Sequence, residues 1–142
     1  MKFTLDSGVI LAFVLGEEDK NLEYLEKLFQ AIKTKKHQAW ISAITISEIF
    51  AVFSKLGEAK KAVETIVSLK EIGTEVVDVN EEIAKNGGIF KARYSTSKKG
   101  FSYADAIILA TSLHTKSDIL LTYDPEFSGV TEIKILKPGH MP

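Results

Sequence analysis

The sequence predicts an α/β domain of three layers, α/β/α, with a mainly parallel sheet, and three observations carry that prediction. Short β-rich runs alternate with helical stretches from one end of the chain to the other. The run Ile119-Leu120-Leu121-Thr122 is continuously apolar up to its last residue, the pattern of a strand buried on both faces. The length of 142 residues is that of one domain, so residues 1–142 read as a single unit with one substantial core.

Each element follows in order. Phe3-Thr4-Leu5 reads as the first strand, followed by a short apolar helix from Gly8 to Leu15. Asp19 or Asn21 opens an amphipathic helix in which Leu22, Leu25, Leu28, Phe29 and Ile32 recur at three- and four-residue steps. It ends on Lys33, Lys35 and Lys36, cations suited to a helix C-terminus. Ala39-Trp40-Ile41 is the second strand. A helix from Ile44 to Leu56 stops at Gly57, and a helix from Glu58 to Ile72, with Ala62, Ile66 and Leu69 on one face, stops at Gly73. Glu75 to Val79 is the third strand. Glu81 to Tyr94 is helical, with a break or kink expected at Gly87-Gly88. Ser95 to Gly100 is a polar, basic loop, Tyr103 to Leu113 a strongly apolar helix, Ile119 to Thr122 the fourth strand and Ile133 to Leu136 the last. Trp40, Ile107, Ile108 and Leu109 read as core.

Composition narrows the function classes. Hydrophobic residues at 45% and charged residues at 26% are ordinary for a globular protein and argue against disorder. The absence of cysteine excludes disulfides, thiolate metal sites and cysteine catalysis, and fits a reducing compartment. Met1-Lys2-Phe3-Thr4-Leu5-Asp6 reaches a charged residue too soon for a signal peptide, and the uncharged stretch Ser7 to Gly16 is too short to span a bilayer. A soluble, cytoplasmic protein without a membrane segment is expected. The net charge of −1 excludes global attraction to nucleic acid, leaving local basic patches and bound metal as the routes to it.

Parallel sheets bind ligands beyond the C-terminal ends of their strands. Asp6 ends the first strand, Asp124 follows the fourth, Glu48 sits in the first turns of the helix after the second, and Asp105 lies in the first turn of the Tyr103 helix. If the Tyr103 helix enters the sheet on the usual edge, all four carboxylates point to one rim. A purely structural explanation exists for each. Ser102-x-x-Asp105 and Thr45-x-x-Glu48 fit capping boxes, Asp124-Pro125 fits an N-cap with proline at the first helical position, and Asp6 could cap the first helix. Capping accepts several residue types anywhere, whereas a metal requires carboxylates together, and Glu48 discriminates because glutamine would cap equally well. Oxygen-only donor sets suit Mg²⁺ or Mn²⁺. Acids so crowded would ionise fully only around a cation, which could then activate water and polarise a phosphate, the chemistry of phosphodiester hydrolysis.

The stretch Lys91, Arg93, Tyr94, Lys98-Lys99-Gly100-Phe101 leads into Asp105 and combines cations with aromatics, as single-stranded RNA binding requires; Arg93, Lys98 and Lys99 are its candidate phosphate contacts. A solvated charged surface is the alternative. Ile49, Phe50, Val52 and Phe53 are either core or a face for a second subunit or partner helix. His37, His114 and His140 form no ligand spacing.

Asp6-Ser7, then Thr45-Ile46-Ser47-Glu48, then Tyr103-Ala104-Asp105-Ala106-Ile107-Ile108-Leu109-Ala110, then Leu120-Leu121-Thr122-Tyr123-Asp124-Pro125-Glu126-Phe127 resemble the PIN-domain family. The likeness is greatest to the single-domain toxins of VapBC toxin–antitoxin pairs and spans nearly the whole chain. The motifs are short, and their order, one per structural unit, supplies the specificity. The resemblance implies a Mg²⁺- or Mn²⁺-dependent endoribonuclease acting on single-stranded or looped RNA, with Asp6, Glu48 and Asp105 as the main metal acids, Asp124 as a more variable fourth, and Thr122 orienting water or a carboxylate. It also implies a homodimer and an antitoxin protein whose segment can occupy the acidic groove. Gly8 departs from the family pattern, in which a polar or larger residue is common.

Rival readings fit less well. A receiver-like domain needs a late lysine near its acids, and Lys134 lies within the last strand; a haloacid-type phosphatase needs an aspartate where Gly8 stands; no Walker A loop is present. The remaining alternative is a catalytically inactive relative that binds RNA or a partner without cutting.

Overall fold

The computed structural model describes residues 1–16 and 21–140. Within them, a five-stranded sheet in the order β3-β2-β1-β4-β5 is formed by β1 (Lys2–Leu5), β2 (Gln38–Ser42), β3 (Glu75–Val77), β4 (Ile119–Leu121) and β5 (Lys134–Leu136). Every strand pair is parallel, so the mainly parallel expectation is met in full. The register sets Leu5 beside Leu121 and Thr4 beside both Trp40 and Leu120.

Six helices cover the sheet: α1 (Ser7–Leu15), α2 (Leu22–Lys33), α3 (Ala43–Lys55), α4 (Ala59–Glu71), α5 (Glu81–Tyr94) and α6 (Tyr103–His114). Alternation along the strands divides the apolar side chains between two cores. Phe3, Leu5, Ile41, Ile119 and Leu121 pack with α1 to α4 through Val9, Leu25, Phe29, Ile49, Phe53 and Leu69. Leu120 faces the other way and packs with α5 and α6 through Ile83, Phe90, Ile108 and Leu109. This is the three-layer arrangement. Ile49 and Phe53 are thus core, and Phe50 and Val52 are half-buried at its edge, while Trp40 and Ile107 are also only half-buried.

Two local expectations are corrected. α5 runs unbroken through Gly87 and Gly88. A Cβ on Gly87 would lie 3.2 Å from the Ile107 Cγ1, so this glycine lets α6 approach rather than ending the helix. β3 stops at Val77 because Asn80 takes over as the cap of α5, accepting from the Ile83 N–H at 2.8 Å. Asn21 does open α2 as expected, in a left-handed conformation and without a side-chain cap bond; its side-chain amide donates to the Pro138 carbonyl at 3.0 Å. Asp19, the other candidate cap, lies outside the described residues. Glycine does end α3 and α4 as expected, with φ of 70° at Gly57 and 102° at Gly73.

Candidate metal centre

The strand order reverses between β1 and β4, and the C-terminal ends of that pair are where an open parallel sheet forms its ligand crevice. Asp6 leaves β1 here, its N–H donating to the Leu121 carbonyl at 3.0 Å. It is the N-cap of α1: Oδ1 accepts from the Ser7 N–H at 2.8 Å. Its other oxygen, Oδ2, accepts from the Thr122 hydroxyl at 2.6 Å. The Thr122 oxygen in turn accepts from the Asp124 N–H at 2.9 Å, and Asp124 Oδ1 accepts from the Glu126 N–H at 2.8 Å as the cap of a 3-10 turn over Pro125–Gly129. One buried hydroxyl therefore ties together the two acids that flank the crevice.

Glu48 arrives from α3. The capping box expected at Thr45-x-x-Glu48 does not form, because the helix starts at Ala43 with Ser42 as its cap, accepting from the Ile44 N–H at 3.2 Å. Glu48 accordingly lies beyond the first turn and has no capping role. Its carboxyl takes a hydrogen bond from the Ser7 side chain, while Oε1 is buried with no partner among the described residues. A buried, unpartnered carboxylate oxygen is costly unless something else occupies its lone pairs.

Asp105 comes from α6 and is 6% exposed. Ser102 caps this helix, its hydroxyl oxygen accepting from the Asp105 N–H at 3.0 Å, so half of the expected capping box exists. The Asp105 carboxyl is hydrogen-bonded to Glu126 and feels the charges of Asp124 and Asp6. One carboxylate oxygen from each of Asp105, Asp124 and Glu126 lies within 4.8 Å of the others. Glu126 had no place among the sequence candidates. The only signal for it is its position two residues after Asp124, where an acid in a first turn has an ordinary helix-end explanation.

Crowding and burial leave a common electrostatic signature. Burial pushes Asp105 up to about 8, helped by the hydrogen bond its protonated carboxyl donates to Glu126 and by repulsion from Asp124 and Asp6, while Ser102 opposes the rise. Burial pushes Glu48 up to about 7, with Asp6 and Asp124 adding to it and Ser7 opposing. Asp6 is also raised, by burial first and then by Asp124, against the bonds from Thr122 and Ser7. The metal-free pocket thus retains protons near neutrality that a cation would displace. An oxygen-only donor set, three mutually close carboxylates and an unpartnered Glu48 oxygen fit a hard divalent ion.

The candidate phosphate contacts lie on α5 and the loop that follows it. Arg93 pairs with Glu132 at 2.6 Å, Lys98 is exposed, and Lys99 is half-buried at the base of the turn closed by Thr96. Burial works against ionisation of Glu132, but the Tyr94 hydroxyl and Arg93 hold it below the usual carboxylate range. His37 contacts the N-terminal amine at 3.0 Å, away from the acids. A separate apolar groove of about 460 Å³, lined by Ile10, Phe13, Val14, Phe29, Leu69 and Ile72, contains none of the five acids.

The family model described as the PIN domain matches residues 3–133. The chain belongs to the PIN-domain family. No curated protein matches the sequence. Among solved structures, this PIN domain is similar to VapBC2 from Rickettsia felis bound to a DNA fragment from its promoter, at 16% identity, 96% coverage of this chain, 98% of that one and a TM-score of 0.75. It is similar to the sarcin–ricin-loop-cleaving toxin VapC20 of Mycobacterium tuberculosis at 16% identity, with coverages of 93% and 98% and a TM-score of 0.72. It is also similar to FitAcB from Neisseria gonorrhoeae at 19% identity, with coverages of 98% and 99% and a TM-score of 0.70. At these identities the structural likeness concerns the fold. No helix among the described residues is long and apolar enough to cross a membrane.

Proposed function

We propose that this PIN domain is a Mg²⁺- or Mn²⁺-dependent endoribonuclease and the toxin half of a toxin–antitoxin pair. The observation that carries the reading is the all-carboxylate pocket at the β1–β4 crevice, where burial and mutual repulsion raise three acids and one Glu48 oxygen lacks a partner. Asp6, Glu48, Asp105 and Asp124 are the residues that would hold the ion; of these, Asp105 and Asp124 form the mutually close set together with Glu126. A bound divalent ion would supply an ionised water and charge for the phosphate and leaving oxygen.

The chain's own groups do the positioning. Ser7 N–H and the Thr122 hydroxyl fix both oxygens of Asp6, and Thr122 also fixes the backbone of Asp124, so the acids are spaced before any ligand arrives. Glu48 and Asp105 hold protons that leave as the site fills. Lys98 and Lys99 offer cations to phosphates, and Arg93 joins them by giving up Glu132. The structural neighbours that are toxin–antitoxin complexes support an antitoxin partner here, and another neighbour, a toxin that cleaves the sarcin–ricin loop, supports RNA as substrate. A homodimer is the proposed assembly; Leu56, Val63 and Val67 remain exposed near α3 and α4 and supply apolar surface for a protein contact. The cytoplasm is the proposed compartment.

The test is cleavage of a mixed pool of structured and unstructured RNA with Mg²⁺, Mn²⁺ or EDTA. Wild type should cut only with metal, and Asp6→Asn/Asp105→Asn should lose at least about a hundredfold in rate. Cutting that persists in EDTA or in the double variant would overturn the reading.

A further inference from the structure

The basic, aromatic stretch that enters α6 uses most of its aromatics internally. Phe101 is buried against Tyr94 and Phe127, and the Tyr94 hydroxyl donates to Glu132. Tyr103 is the exception. It is the first residue of α6 and is 65% exposed, the most of any large apolar side chain among the described residues. An aromatic ring left in water forgoes the burial that usually justifies it.

This ring is nevertheless held. The Lys91 ammonium lies 5.2 Å from its centroid and is itself anchored by the Phe101 carbonyl at 2.7 Å. Ser102 caps the helix immediately before it, fixing the turn that carries both Tyr103 and Asp105. Asp105 stands two residues on, about 3 Å further along the helix axis. Residues two apart project to different sides of a helix, so Tyr103 shares with Asp105 the first turn of α6 but not its face.

We infer that Tyr103 is a stacking platform for one unpaired base of a single-stranded RNA, beside the nucleotide held at the acids, with Lys91 facing that base's phosphate. The inference rests on the ribonuclease reading and adds to it a basis for choosing unpaired substrate. Every base has a π face, so the contact is tolerant of sequence, whereas a base inside a duplex has its faces already covered. Lys91 can serve because an ammonium has three donors and the Phe101 carbonyl engages one.

The experiment is fluorescence anisotropy of a labelled, mixed-sequence, single-stranded 12-mer RNA with the full chain in EDTA at pH 6. The same chain is then assayed for cleavage with Mn²⁺. Tyr103→Ala should weaken single-strand binding at least about tenfold, and Tyr103→Phe and Tyr103→Trp should stay within about threefold of wild type. In cleavage, Tyr103→Ala should raise KM by a similar factor while kcat changes less than about threefold. Unchanged affinity and KM in Tyr103→Ala, or an equal loss in Tyr103→Phe, overturns stacking while leaving the nuclease reading intact. Tyr103-dependent binding by a wild type that never cuts overturns the nuclease reading and supports the platform. A wild type that neither binds nor cuts the RNA overturns both.

Discussion

Glu48→Gln should make the metal-free protein more stable at pH 8, although it removes a charge from the centre of the proposed site. Burial, then repulsion from Asp6 and Asp124, moves this carboxyl from 4.5 to about 7. In full, that displacement is worth roughly 3 kcal/mol; the side chain is only half-buried, and solvent screening reduces the figure to about 1 kcal/mol. The unfolded chain ionises Glu48 through pH 4.5 and the folded chain through about 7, so between those values the folded state binds more protons. Stability therefore falls as pH rises across that window, and glutamine, which does not titrate, escapes the loss. For a domain of this size the gain is about 3–5 °C in Tm. Thermal melts in EDTA at pH 5, 6, 7 and 8 should show the variant ahead at pH 8 and level with wild type near pH 5. Saturating Mn²⁺ should reverse the order, since only wild type gains fully from the ligand. A variant equal to or weaker than wild type at pH 8 in EDTA would refute the reasoning, because the fold would then be favouring the ionised Glu48.

Three further outcomes follow from the same geometry. Gly88 has open space around its Cβ position, so Gly88→Ala should stabilise by up to about 1 kcal/mol, whereas Gly87→Leu should force α5 from Ile107 and cost roughly 1–3 kcal/mol, both read by urea unfolding. Ser42→Ala and Ser102→Ala should each cost about 1 kcal/mol as lost caps, but only Ser102→Ala, which loosens the turn bearing Asp105, should also slow cleavage, by about tenfold. Glu126→Gln replaces a carboxylate that favours protonated Asp105 with an amide that can donate to its ionised form, so the acidic limb of the pH–rate profile should move to lower pH; a limb that stays put would separate Glu126 from the site's chemistry.

The fold was legible because each strand announces itself over a few residues and the connections between strands are helical. Asp6 and Asp124 were legible for the same reason: a parallel sheet delivers the residues after its strands to one rim. What one-dimensional patterns obscured were choices made by tertiary contacts. Gly87-Gly88 has low intrinsic helicity, yet the close approach of Ile107 makes a glycine useful inside α5. Thr45 and Glu48 match a capping box, but Ser42 two residues before Ile44 is also a good cap and starts the helix earlier. Asn21 fits a cap by type, and its amide is drawn instead to Pro138, 117 residues away. Glu126 was missed since its link to Asp105 crosses from the β4 exit to α6, a proximity that no spacing records. The separation of Tyr103 from Phe101 and Tyr94 is likewise a matter of burial, invisible in a run of similar residues.

The central claim is that these acids form one divalent-cation site, and calorimetric titration of Mn²⁺ into the full chain at pH 6.5 tests it most directly. Wild type should bind one or two ions saturably and release protons, detected as a dependence of the heat on buffer ionisation enthalpy, because Glu48 and Asp105 must ionise to receive the ion. Asp6→Asn/Asp105→Asn should lose both the binding and the proton release. No saturable binding by wild type, or equal binding by the double variant, would contradict the account.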